Sequence, residues 1–92
     1  MPKLSLSADA LKFLQRVERK HAGQIALKVF SLGVEPFPPD AERLRGTNLE
    51  LWRADIGEYR IVYDVTEDLV RVLVIGKRND DEVYKEVERK RL

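Results

Sequence analysis

The sequence predicts an α+β domain in which an N-terminal strand and a helical hairpin pack on a mainly antiparallel sheet of about four strands, with a short C-terminal helix. Three observations carry this prediction. Apolar residues recur at helical spacing up to Leu32, the Pro36-Phe37-Pro38-Pro39 segment breaks that period, and from Leu51 onward the pattern alternates with a period of two. At 92 residues and 43% hydrophobic content, residues 1–92 read as a single domain with one core and no room for a second.

Lys3-Leu4-Ser5-Leu6 alternates and reads as a short strand, and Ser7 suits the N-cap of a helix starting near Ala8. In that helix Leu11, Leu14 and Val17 recur at helical spacing, with Ala10 and Phe13 widening the apolar stripe. A second helix is expected from about Ala22 to Leu32, burying Ile25, Val29 and Leu32, with Gly33 as its C-terminal cap. The prolines that follow remove backbone donors and restrict their predecessors, so this segment is an extended connector.

Leu51 to Ile56 and Tyr59 to Val65 read as a hairpin with Gly57-Glu58 at its tip, and a further strand from Val70 to Ile75 follows the polar turn Thr66-Glu67-Asp68. A two-residue turn at Gly57-Glu58 sets Ile56 opposite Tyr59, Asp55 opposite Arg60 and Trp52 opposite Tyr63. Trp52, Ala54, Ile56, Tyr59, Ile61 and Tyr63 then share the face that the helices cover. Burying each large apolar side chain there stabilises the fold by roughly 1.5–3 kcal/mol. The opposite face holds Arg53, Asp55, Arg60, Val62 and Asp64, joined by Arg71, Leu73 and Ile75 if the second turn has four residues. It is expected to be polar and open to a ligand. The last helix, about Asp81 to Arg91, begins with acidic residues and ends with Arg89-Lys90-Arg91, matching the poles of its dipole.

The chain has no cysteine, which excludes a disulfide framework, a thiol nucleophile and a thiolate metal site. With His21 the only histidine, a zinc centre or a Ser-His-Asp triad is not expected, and the reading is of chemistry without metal or cofactor. No apolar run is long enough for a membrane span or a signal peptide, so a cytoplasmic location away from membranes is expected. The formal charge is only +1, although Lys3, Lys12, Arg16, Arg19, Lys20 and Lys28 face only Asp9 and Glu18 in the first third. Such a balance permits a nucleic-acid partner without demanding one.

The residues richest in chemistry are Tyr59-Arg60-Ile61-Val62-Tyr63, Gly76-Lys77-Arg78 and Glu82-Val83-Tyr84. Together with Leu44-Arg45-Gly46 and Trp52-Arg53, and with the order of elements above, they give the chain its likeness to a known family. It resembles the RelE-type toxins of bacterial and archaeal type II toxin-antitoxin systems, within the RelE/ParE superfamily. The likeness runs nearly end to end and is specific from Leu44 onward.

That resemblance implies a ribosome-dependent mRNA endonuclease that cuts the codon in the decoding site and inhibits translation. Its implied partners are a cognate antitoxin, the ribosome and mRNA, and operator DNA reached through the antitoxin complex. In such a reaction the RNA 2′-hydroxyl attacks its own phosphate, so the protein must orient the backbone, stabilise negative charge and move protons. By the resemblance, Arg60 and Arg78 contact the phosphate and Tyr84 stacks on a base or transfers a proton. Arg53, Lys77 and Arg45 are the further candidates for RNA contact. A phenol with a pKa of about 10 is a poor base at neutral pH, so proton transfer by Tyr84 needs neighbouring cations such as Arg60, Arg78 or Lys77.

The chain departs from the closest family pattern at Asp55, where that pattern has a second lysine. A carboxylate opposite Arg60 would partly neutralise the charge meant for phosphate; it could also be a general base or a cross-strand ion pair. Plainer readings stand beside these. Arg60 can be a solvated or paired surface arginine, and Tyr84 can simply anchor the last helix. Strict alternation would turn Lys77 toward the active face, whereas a bulge at Gly76 would turn Arg78 there. Two alternative functions remain: a ParE-like inhibitor of DNA gyrase, and a catalytically weakened module that binds an antitoxin.

Overall fold

The protein is described here by a computed structural model covering residues 3–45 and 49–79. Its elements are β1 (Lys3–Leu6), α1 (Ala8–Arg16), α2 (Arg19–Val34), β2 (Glu42–Arg43), β3 (Trp52–Ile56), β4 (Tyr59–Thr66) and β5 (Leu69–Lys77). The strands form one sheet in the order β1-β5-β4-β3-β2. All neighbours are antiparallel except β1, which lies parallel to β5. The α+β architecture is as expected, but the described sheet has five strands because the two-residue β2 pairs with β3. The expected helix from about Asp81 to Arg91 lies outside the described residues.

Ser7 starts α1 as predicted, its hydroxyl accepting the Ala10 N–H at 3.0 Å. Ala10 is fully buried, and Phe13, Leu14 and Val17 pack on the core. Leu11 is half exposed, so the stripe runs through Ala10 rather than Leu11. The second helix is longer than expected at both ends. Its cap is Glu35, whose N–H donates to the Ser31 carbonyl at 2.8 Å, and Gly33 lies inside the helix. Gly33 is buried beneath β1, where an added Cβ would meet the Leu4 side chain at 3.6 Å, so close helix-to-strand packing accounts for its position.

The β3–β4 hairpin has the predicted register, with Ile56 opposite Tyr59, Asp55 opposite Arg60 and Trp52 opposite Tyr63. Gly57 sits at φ +58°, a left-handed conformation that costs other residues about 1 kcal/mol or more and fixes the tight turn. Ala54, Tyr59, Ile61 and Tyr63 are buried under the helices, joined by Ile25, Val29, Leu32, Val70 and Val72. Tyr63 donates its buried hydroxyl to the Pro36 carbonyl at 2.7 Å, and Phe37 meets Trp52 edge-on with ring centroids 4.9 Å apart. The proline-rich connector is thereby tied across the end of the core.

Two expectations about the other face require correction. The turn between β4 and β5 has two residues, Glu67 and Asp68, with Thr66 paired to Leu69. Farther along, Val62 pairs with Val74 and Tyr63 with Val72, so Leu73 is an extra residue in a β-bulge. The bulge reverses the alternation beyond it: Leu73 and Val74 both join Val62 on the face away from the helices, and Ile75 returns to the helix-side core. That outer face is not wholly polar. Leu44, Leu49 and Leu51 from the β2–β3 loop close over Val62, Leu73 and Val74 to form a second apolar cluster. It leaves open the end of the face that carries Asp64 and Arg71 as well as the end carrying Asp55 and Arg60.

Candidate functional site

At that end, the cross-strand register aligns Asp55 of β3, Arg60 of β4 and Gly76 of β5 in one row. The next row holds Glu42 of β2, Arg53 of β3, Val62 and Val74. Because paired residues share a face, the β3–β4 hairpin brings Arg53 and Arg60 to the same patch.

The electrostatics of the patch centre on Asp55. Arg60 donates from Nε to Asp55 Oδ1 at 2.8 Å and from Nη2 to Oδ2 at 3.2 Å, a bidentate fork. Arg53 Nη1 lies 3.5 Å from the same Oδ2, and Arg53 Nη2 donates to Glu42. The Arg60 side chain is 13% exposed and that of Asp55 27%, so the pair is partly shielded from solvent. Glu42, Arg53, Asp55 and Arg60 thus form a chain of alternating charge in which the formal charges cancel. Sequence reasoning found Arg53, Asp55 and Arg60 but missed Glu42. A two-residue strand carries no alternation from which its pairing with Arg53 could be read.

Arg78 directly follows β5, is exposed, and donates its backbone N–H to the Glu58 carbonyl at 2.9 Å. Lys77 pairs with Tyr59, whose ring lies in the helix-side core, so Lys77 belongs to that side of the sheet. The alternation thus turns Lys77 away from Arg60, and Arg78 lies in the turn just past the strand end. The bulge that decides this lies at Leu73 and not at Gly76. Arg45 is exposed beyond Leu44, at the opposite end of the apolar cluster from Asp55. Tyr84 lies outside the described residues.

A second ion pair on the same face joins Arg71 to Asp64, with Nε to Oδ1 at 2.8 Å and Nη2 to Oδ2. Hydrogen bonding to Asp64 raises the Arg71 pKa above its ordinary value. Among the described residues, no group of three or more His, Asp or Glu side chains is placed to hold a metal ion. None of the described helices is long and apolar enough to cross a membrane.

What the patch offers chemically is planar, permanently charged guanidinium donors on a rigid sheet, suited to an oxyanion. Solved structures similar to this one include several toxins. One chain of the RelE–RelB complex from Pyrococcus horikoshii is 28% identical, with a TM-score of 0.72, over 84% of this chain and 94% of that one. An E. coli RelE double mutant in the free state is 25% identical, with a TM-score of 0.78, over 99% of this chain and 98% of that one. The YoeB/ParE toxin from Agrobacterium tumefaciens shares the fold at 21% identity, with a TM-score of 0.69, over 83% of this chain and 98% of that one. Comparison with curated proteins gives no match. The family described as ParE toxin of type II toxin-antitoxin system, parDE, matches residues 4–82. On that match across most of its length, and with the RelE-like fold, the chain belongs to the ParE toxin family of type II toxin-antitoxin systems, within the RelE/ParE superfamily.

Proposed function

We propose that this toxin is an mRNA endonuclease acting in the decoding site of the ribosome, cutting by attack of the RNA 2′-hydroxyl on the adjacent phosphate. The observation that supports the reading is the Arg60 guanidinium, with Arg53 near it, on the sheet face away from the helices, and Arg78 just past the end of the neighbouring strand. In the reaction the 2′-oxygen bonds to phosphorus as the bond to the 5′-oxygen breaks. One proton leaves the 2′-hydroxyl and one reaches the departing oxygen. Arg60 and Arg78 stabilise the charge that builds on the phosphate, and Tyr84 stacks on a base or shuttles a proton. Arg53 aligns the backbone, and Arg45 contacts RNA farther along the face.

The partner that holds the toxin inactive is an antitoxin; similar chains are found in structures of toxin-antitoxin complexes. The α2 helix presents Leu27, Phe30 and Val34 to solvent at i, i+3 and i+7 spacing, each at least 65% exposed. Arg19 and Lys20 stand at the N-terminal end of this stripe. Such a surface fits an amphipathic antitoxin segment with acidic residues beside its apolar ones. Operator DNA is reached only through that complex, and residues 1–92 work in the cytoplasm as a single toxin domain.

Primer-extension mapping of mRNA ends, after the pure protein is added to ribosomes stalled on a defined message, tests the reading. Cleavage within the decoding-site codon, lost in Arg60→Ala and Arg78→Ala while both variants stay folded, is the expected result. A second reading, inhibition of DNA gyrase, draws on the ParE family match and on the cancelled charge around Arg60. Supercoiling inhibition without ribosomes, combined with intact mRNA on them, would select it.

A further inference from the structure

The carboxylate of Asp55 sits where an oxyanion ligand would. Two of its oxygen contacts come from the Nε–H and Nη2–H of Arg60, the side-on fork that guanidinium offers to carboxylate and phosphate alike. The Arg53 guanidinium closes on the same carboxylate from the neighbouring row. Asp55 lies directly across the strand pair from Arg60, on a tight hairpin whose register is fixed by Gly57, so the carboxylate is held in place by the backbone. Its local concentration at Arg60 is therefore that of a tethered ligand.

We propose that Asp55 is a built-in competitor for the RNA phosphate. It occupies the Arg60 fork in the free toxin, and RNA must displace it to engage the site. The proposal rests on the nuclease reading for its ligand, but its physical content is competition between a tethered carboxylate and a free phosphate for one guanidinium. Competition also gives the toxin a threshold. Weakly held single strands do not displace Asp55, whereas a message already positioned by the ribosome supplies a phosphate at high effective concentration.

Two titrations of the whole protein test this, comparing the natural chain with Asp55→Asn. The first uses inorganic phosphate, followed through the Nε–H NMR signal of Arg60. The second uses a 2′-O-methyl RNA oligonucleotide that cannot be cut. Asn keeps the shape of Asp and one acceptor oxygen while removing the charge, so the fold is expected to persist. Asp64→Asn is the control, since it makes the same change in net charge at the Arg71 pair elsewhere on this face.

The expected result is tighter phosphate binding at Arg60 in Asp55→Asn by about tenfold, with Asp64→Asn unchanged. Equal binding in the natural chain and Asp55→Asn would overturn the proposal. Weaker binding in Asp55→Asn would also overturn it, by showing that Asp55 holds Arg60 in position for phosphate. If phosphate binds tighter in Asp55→Asn while neither protein cuts message on programmed ribosomes, the competition stands and the nuclease reading fails.

Discussion

The Ser7 hydroxyl donates to the carbonyl of Leu73 at 2.6 Å, joining the N-cap of α1 to the extra residue of the β5 bulge. A bulge leaves ladder groups without strand partners, and here the freed carbonyl is satisfied by the side chain that also caps a helix. The Ser7 N–H adds a bond to the Val72 carbonyl at 2.9 Å. This junction stabilises the bulge, and the bulge sets Gly76 opposite Arg60 and turns Lys77 to the helix side.

Ser7→Ala is therefore expected to remove both a helix cap and the partner of the bulge carbonyl. The combined loss should be about 1.5–3 kcal/mol, several degrees or more in Tm for a domain of this size. Thermal unfolding followed by circular dichroism measures it. A change within experimental scatter would mean that the bulge is held by packing of Leu73 and Val74 alone.

Tyr63 gives a pH signature. Burial, and secondarily the charge of Asp40, pushes its phenol up to about 12 from an ordinary value of 10. Because the folded-state pKa is raised, the folded protein retains a proton that the unfolded chain releases. Its stabilising contribution is full below pH 10 and is lost as pH rises toward 12. Denaturant titrations between these pH values should show a fall in stability of about 2–3 kcal/mol that Tyr63→Phe lacks. Near neutral pH the same variant should be less stable by about 1 kcal/mol, because the Pro36 carbonyl loses its donor.

Much of this arrangement was legible in the sequence. Alternation from Trp52 to Tyr63 around Gly57 fixed the hairpin register, so the opposition of Asp55 and Arg60 could be read directly. The bulge could not be read, because Val72, Leu73, Val74 and Ile75 are all apolar and alternation carries no facial information in such a run. The same ambiguity hid the second apolar cluster, which depends on a loop folding back over the sheet. Glu42-Arg43 offered no pattern at all. Gly33 looked like a cap because sequence shows a glycine near a helix end but not the strand packed against it.

Arg60→Lys tests whether a fork or merely a positive charge is required. Lysine keeps the charge but cannot donate in parallel to two oxygens. Cleavage on programmed ribosomes should fall by about a hundredfold, in the range reported for losing one donor to a developing charge, with the circular dichroism spectrum unchanged. Retained activity would show that charge alone suffices at this position.

Phe30→Asp tests the antitoxin surface. Phe30 is 65% exposed and lies on the helix face away from the core, so the substitution should leave folding intact. Antitoxin affinity should drop at least about tenfold, the loss typical of an aromatic anchor at an interface, and the antitoxin should no longer suppress toxicity. Undiminished binding by calorimetry would place the contact elsewhere.

The central claim is that this protein cuts RNA by using the message's own 2′-hydroxyl, with guanidinium groups stabilising the charge on phosphate. The most direct measurement is end-group analysis of the fragments made from a defined message on purified ribosomes. The account predicts a 2′,3′-cyclic phosphate on one side of the break and a 5′-hydroxyl on the other, both absent when Arg60→Ala replaces the natural protein. Fragments bearing a 5′-phosphate and a 3′-hydroxyl, or a message left whole, would contradict it.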